Sequence, residues 1–274
     1  MRLPLASDGG SEPLYVYAAP SRRAGGVVLG IDLSQARCNW ACTYCDVEGL
    51  SKGEGPEIDL ERLRAEFDAA LNRVTQLDGG PATLEELAGV HFSGNGEPTQ
   101  SFQFPDAVEV VTDVLAARGL QGAVRPVLLT NGSKCSDRRV RIGLARLAEF
   151  GGHTWLKLDS ATREGQRSIC DSDLILRHVR NYLKVAAETM PTWLQTCVFE
   201  RGGAPSLDEA EREAYVAFVR NLVISRVPLA GVQMVAPDRP VAGAGAGTIT
   251  APERGWVEAL AEQLRAQLPV ELYL

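Results

Sequence analysis

Three of the six cysteines, Cys38, Cys42 and Cys45, fall within eight positions directly after the apolar run 27–33. Soft thiolates in one loop suit an iron–sulfur cluster or zinc, and a closed site of either kind takes four protein ligands. The loop supplies three, because the next cysteine is Cys135 and the first histidine is His91. A four-iron cluster held this way leaves one iron for a small molecule. A zinc site would instead draw a fourth ligand from a distance, and thiols buried without metal are the third reading. The rest of the chain reads as a frame that presents this loop to a substrate.

The frame is legible from apolar periodicity. Residues 27–33 form a near-continuous apolar run, expected of a strand buried on both faces of a parallel sheet. The cysteine loop leaves its C-terminal end, where α/β barrels place their chemistry. Before it, residues 14–26 begin as an edge strand and end in a Gly-rich turn. From Asp59, which can cap a helix, Leu60, Leu63, Phe67, Ala70, Leu71 and Val74 recur at threes and fours. A polar Gly/Pro/Thr stretch follows. Further strands are expected at 90–93, 127–130, 154–159, 193–199 and 231–236. Helices are expected at 105–118, 174–189, from Ser206 or Asp208 to about 223, and at 253–267. A short strand, 270–274, closes the chain. This is a single α/β domain of six β-α units, with residues 1–26 as an N-terminal extension and 27–274 as the barrel with its C-terminal helix and strand.

Several strand ends carry polar signals. After the second strand comes Gly94-Asn95-Gly96-Glu97-Pro98-Thr99, whose glycines let backbone approach a ligand and whose Glu97 offers an anion to an ammonium group. The third strand ends in Asn131-Gly132. Alternation on the fourth puts Lys157 and Asp159 on one side, with a structural Lys–Asp pair as the alternative to a ligand-binding one. Gln195 and Glu200 lie at the end of the fifth strand. The Ala/Gly run 241–247 lacks the Lys-Ser/Thr of a P-loop and reads as a mobile loop at the open end. The basic window 133–141 reads as a solvated first helical turn, or as a steering patch for an anion if it lies at the site's mouth. Arg22 and Arg23 read equally well as a solvated turn or as part of a motif.

The motifs together resemble those of radical SAM enzymes. An aromatic residue, Tyr44, directly precedes the third cysteine, and the glycine turn stands one β-α unit later in the form G-x-G-E-P-T. The segments Pro20-Ser21-Arg22-Arg23, Gly30-Ile31-Asp32-Leu33, Thr130-Asn131-Gly132 and Arg239-Pro240 are similar to the branch of Fe–S oxidoreductases that includes wyosine-synthesis-like proteins. The resemblance implies an incomplete (β/α)6 barrel with parallel strands. It implies that Cys38, Cys42 and Cys45 hold a [4Fe-4S] cluster and that S-adenosylmethionine (SAM) completes the fourth iron. It places SAM against Tyr44, Gly94, Asn95, Gly96, Glu97, Asn131, Lys157, Asp159, Glu200 and the sixth-strand backbone at Val235. Relatives often carry Ser where Lys157 stands. The implied activity is reductive cleavage of SAM to a 5′-deoxyadenosyl radical that abstracts hydrogen from a substrate, with an electron donor such as flavodoxin or ferredoxin.

Composition narrows the substrate. The chain carries 28 Lys plus Arg against 35 Asp plus Glu, a net charge of −7, which disfavours a grip on long nucleic acid. No apolar stretch approaches the ~18 residues of a membrane span, and the first thirteen residues lack a secretory signal, so a cytoplasmic protein is expected. Cys135, Cys170 and Cys197 could form an auxiliary site or be inert buried thiols; no two are close in sequence. A small-molecule or nucleotide-like substrate suits a bare barrel. Modification of a tRNA base or a peptide is the alternative, and a non-catalytic metal-binding module is the reading of a different class.

Overall fold

The computed structural model describes residues 13–74 and 87–274; residues 1–12 of the expected extension and the polar stretch 75–86 lie outside them. The apolar runs become strands and the periodic segments become helices. In chain order these are β1 (Val16–Ser21), β2 (Gly26–Ile31), β3 (Arg37–Cys38), β4 (Ser51–Lys52), α1 (Leu60–Val74), β5 (Leu87–Phe92), α2 (Phe104–Ala117) and β6 (Pro126–Thr130). There follow α3 (Arg138–Glu149), β7 (His153–Lys157), α4 (Arg163–Cys170), α5 (Leu176–Thr189), β8 (Thr192–Cys197), β9 (Glu200–Arg201), β10 (Ala204–Pro205) and α6 (Glu209–Ile224). The chain ends with β11 (Leu229–Val235), β12 (Ile249–Thr250), α7 (Arg254–Arg265) and β13 (Val270–Tyr273).

Eight strands make one sheet in the order β1-β2-β5-β6-β7-β8-β11-β13. The six expected β-α units are present, starting at β2, β5, β6, β7, β8 and β11. The barrel strands from β2 to β13 pair in parallel, as expected, and the expected edge strand β1 pairs antiparallel with β2, from Val16↔Ile31 to Ser21↔Gly26. The reason is connection length, since a short turn can only return antiparallel, whereas a parallel neighbour needs a crossover. At the other edge β13 adds in parallel to β11. The sheet is curled. Laid flat, eight strands would span about 34 Å, yet Arg22, in the turn after β1, donates to the carbonyls of Ala236 at 3.3 Å and Leu274 at 3.4 Å, just beyond β11 and β13.

Helices cover the outside because their apolar stripes fit nowhere else. α1 buries Leu63, Phe67 and Leu71, and α2 buries Phe104, Ala107, Val108, Val111 and Leu115, each large side chain contributing about 1.5–3 kcal/mol. Capping sets several starts. Asp59 accepts from Arg62 N at 2.9 Å, Asp137 from Arg139 N at 2.9 Å, and Asp208, not Ser206, from Glu211 N at 2.9 Å. The basic window lies at the solvated start of α3, where Lys134, Arg138 and Arg141 are exposed. Periodicity gives no sign of α4, whose buried apolar side consists only of Ile169 and Cys170 beside Gly165 and Gln166. Thr162 caps it, accepting from Gly165 N at 2.9 Å.

Candidate functional site

The C-terminal ends of the parallel strands converge on the cysteine loop. After β2, buried Asp32 organises the descent: its Oδ1 accepts from Ser34 N and Gln35 N, and its Oδ2 accepts from Asn95 N at 3.0 Å. The turn after β5 is stitched to the loop by backbone, with Ala36 N donating to Asn95 O at 2.5 Å and Glu97 N to Arg37 O at 3.0 Å. Two glycines permit that approach. Gly94 has φ 149°, and a Cβ there would meet the Asp32 side chain at 2.6 Å; Gly96 has φ 141°, and a Cβ there would meet the Arg37 carbonyl oxygen at 2.1 Å. The glycine turn is thus shaped by the cysteine loop as well as for any ligand.

Glu97 is buried and largely committed. Its Oε1 accepts from Thr99 N, Thr99 Oγ1 and Thr130 Oγ1, and its Oε2 accepts from Asn131 N at 2.7 Å. Each carboxylate oxygen has about two acceptor sites; Oε1 is crowded by three donors, whereas Oε2 takes one and keeps one. Asn131 turns toward the cysteines: its Nδ2 donates to Asn39 Oδ1 at 2.8 Å and lies 3.8 Å from Cys38 Sγ.

Behind the loop is a second polar knot. Asp159, fully buried, accepts from Tyr44 Oη at 2.5 Å, from Cys197 N at 2.8 Å and from Cys170 Sγ at 3.5 Å. Tyr44 packs on Phe199 at 5.5 Å between ring centroids. The Lys157 ammonium stands 4.7 Å from the centre of the Tyr44 ring and 3.8 Å from Cys42 Sγ. Burial opposes its charge, but Cys42 and Asp159 outweigh that and hold its pKa above the ordinary lysine value. Burial pushes the Cys38 thiol up to about 12 and raises Cys45. Cys42 is drawn down to about 7, chiefly by its contact with Cys170, with burial opposing and Lys157 assisting.

These elements enclose a chamber of about 290 Å³. Cys38, Cys42, Cys45 and Tyr44 line one side; residues 94–97 and Asn131 line another; Lys157, Gln195 and Val235 complete the wall. Two expected contact residues do not face it. Asp159 is held behind Tyr44, as above, and Glu200 lies on the small β10-β9-β12 ladder, where its Oε1 accepts from Glu253 N at 2.9 Å. The Ala/Gly run is tied to the cysteine loop, in contrast to the mobile loop expected. Ala242 N and Gly243 N donate to Cys45 O at 2.9 and 3.0 Å, and Gly245 N donates to Thr43 O at 2.9 Å. Residue patterning missed Trp40, buried beside Cys42, and left Arg23 undecided; Arg23 also lines the chamber.

The donor set suits a multi-iron cluster. A single tetrahedral ion with bonds of about 2.3 Å holds its sulfurs about 3.8 Å apart. Among the described residues, the ligand atoms gathered within 4.8 Å of one another are those of Cys42, Asp159 and Cys170, not the three of the loop. That tighter group is already satisfied by the Tyr44 and Cys197 hydrogen bonds to Asp159. The remaining cysteines do not form one auxiliary site: Cys135 belongs to the main core, whereas Cys170 and Cys197 pack with Trp40 and Phe199.

Fold and site together define a class, a curled and mostly parallel α/β half-barrel with a cysteine-lined chamber at the C-terminal ends of its strands. The same fold occurs in solved structures of radical SAM enzymes. Streptococcus suis SuiB bound to precursor peptide SuiA matches with a TM-score of 0.59 at 12% identity, over 90% of this chain and 48% of SuiB. SuiB bound to S-adenosylmethionine matches at 0.58 and 12%, over 92% and 52%. TYW1 with a lysine-pyruvate adduct bound matches at 0.58 and 14%, over 93% of this chain and 84% of TYW1. The likeness is one of fold, and the chain spans about half the length of the SuiB structures. No family model matches the sequence, and no curated protein matches it. No helix among the described residues is long and apolar enough to cross a membrane.

Proposed function

We propose that this chain is a radical SAM enzyme acting on a small molecule. The observation that carries the reading is the meeting of three loop cysteines, the glycine turn and the strand ends around one chamber in a half-barrel of this fold. Cys38, Cys42 and Cys45 would hold a [4Fe-4S] cluster and leave one iron for SAM. With both bound, the cluster would pass one electron from an external reductant to SAM, the chemistry that would yield methionine and a 5′-deoxyadenosyl group able to take hydrogen from the substrate.

The protein's own residues position and insulate. The free acceptor site on Glu97 Oε2 and the carbonyls of the glycine turn suit the methionyl ammonium. Lys157, charged and at the chamber wall, suits the carboxylate and favours the Cys42 thiolate. Val235 would line the adenine's side of the chamber, its carbonyl already accepting from Val198 N at 3.0 Å. Trp40, Tyr44 and the 242–245 strap close the loop against water. Asn131 braces Cys38 and Asn39 and acts through the loop. The chamber of about 290 Å³ is at the small end of ligand pockets and is the space that SAM itself would enter.

The test is anaerobic reconstitution of the chain with iron and sulfide, followed by SAM and a one-electron reductant. Wild type should hold about four irons and release 5′-deoxyadenosine; Cys38→Ala should lose both, and Cys135→Ala should keep both. Iron retention with no SAM cleavage would leave only the metal-binding module.

A further inference from the structure

The inner wall of the chamber holds a cation that the chemistry above does not use. Arg22 and Arg23 are neighbours in the turn between β1 and β2, and their side chains diverge. Arg22 runs along the open edge to Asp238 at 3.7 Å and to the carbonyls of Ala236 and Leu274. Arg23 turns into the barrel, where its guanidinium lies 4.2 Å from the centre of the Trp155 ring and Nη1 donates to Gln195 Oε1 at 2.7 Å. Among the described residues it has no salt-bridge partner.

Its depth separates it from the SAM groups. Trp155 and Lys157 are two residues apart on β7 and so face the same side, about 7 Å apart along the strand. Lys157, at the strand's end, reaches Cys42; Arg23 stacks one pleat repeat below. Gln195 stands in register with Lys157 on one side and Gln233 on the other. The chamber wall therefore carries a guanidinium that commits one hydrogen bond, to Gln195, and leaves most of its five donors uncommitted.

A guanidinium withdrawn from water needs an anion or a π face. Trp155 gives the π face. Burial still pulls the pKa of Arg23 down to about 10, with Asp238 partly restoring it from beyond salt-bridge range. An entering oxyanion would supply the missing partner, and the planar fork of Arg suits its two oxygens.

We propose that Arg23, braced by Trp155 and Gln195, anchors the terminal carboxylate or phosphate of the substrate at the inner end of the chamber. The anion-binding site stands on this geometry alone; that its ligand is the substrate rests on the radical SAM reading.

The test titrates the full chain, with and without SAM, separately with acetate and with inorganic phosphate. Tryptophan fluorescence reports binding because Trp155 lies against the guanidinium. Wild type should show saturable millimolar binding, and the tighter of the two anions identifies the headgroup. Arg23→Gln should weaken it at least tenfold and Arg23→Lys less, while SAM affinity stays within about twofold, as expected if no SAM contact is lost. Three results overturn the proposal: neither anion binds wild type, the folded variants bind as wild type does, or SAM affinity falls in step with anion affinity, which would assign Arg23 to SAM itself. If Arg23→Gln does not fold, Arg23→Lys and wild type still decide. SAM cleavage is measured in parallel. Anion binding without cleavage keeps this site and sinks the enzyme reading, and cleavage without anion binding does the reverse.

Discussion

Gly96→Ala tests whether the glycine turn and the cysteine loop are one mechanical unit. At φ 141° the new Cβ would lie 2.1 Å from the Arg37 carbonyl oxygen and 2.8 Å from its carbon. An L-residue in that backbone region costs about 1–3 kcal/mol. The clash is with backbone, so no rotamer relieves it, and the turn must part from the loop. Parting breaks the bonds from Ala36 N to Asn95 O and from Glu97 N to Arg37 O, each worth about 1 kcal/mol. The expected loss is therefore about 3–5 kcal/mol. Gly119→Ala is the control, since that residue has φ 69° with no heavy atom within 4 Å of a Cβ and should cost only the about 1–2 kcal/mol of a left-handed L-residue. Urea unfolding of both variants measures the difference, and iron retained after desalting reports the loop. Should the two variants lie within about 0.5 kcal/mol of each other, the scatter of neutral surface substitutions, the stitching argument is wrong.

Two further outcomes follow from buried groups. Asp159→Ala strands the Tyr44 hydroxyl and the Cys197 amide, and at about 1–3 kcal/mol for each orphaned group urea unfolding should show a loss of about 2–6 kcal/mol, while Asp159→Asn, which keeps an acceptor, should lose less. His91 is held down to about 3 by burial and then by Arg23, from its ordinary value of 6.5. Its neutral form thus supports the fold fully above pH 6.5. As the pH falls, the unfolded chain takes up a proton that the folded chain refuses, and stability drains away toward pH 3. At pH 5 this amounts to about 2 kcal/mol. In His91→Phe the unfolding free energy should fall less between pH 7 and 5, and equal slopes would show that His91 titrates freely.

Much of the frame was legible because it repeats. Six apolar strand runs alternate with stripes such as Leu63, Phe67 and Leu71, and this period-two and period-3.6 patterning is a local property. The β1 hairpin and α4 were less legible. A hairpin's direction depends on the length of its turn, and α4 buries too few apolar side chains to show a stripe.

The site divides along the same line. The order of residues alone established three soft ligands in one loop, a glycine turn one unit later and an amide-bearing strand end after that, because spacing and residue type are properties of the chain. Only the tertiary structure decided which way each side chain faces. It put Lys157 beside Cys42, withdrew Asp159 behind Tyr44, placed Glu200 on a separate ladder and strapped the Ala/Gly run onto Cys45. It also turned Arg22 outward and Arg23 inward from adjacent positions. The physical reason is curvature. When a sheet curls, residues far apart in sequence share one interior, and whether a charge meets water, an aromatic face or an empty chamber is set by the neighbours that closure brings, which no local pattern encodes.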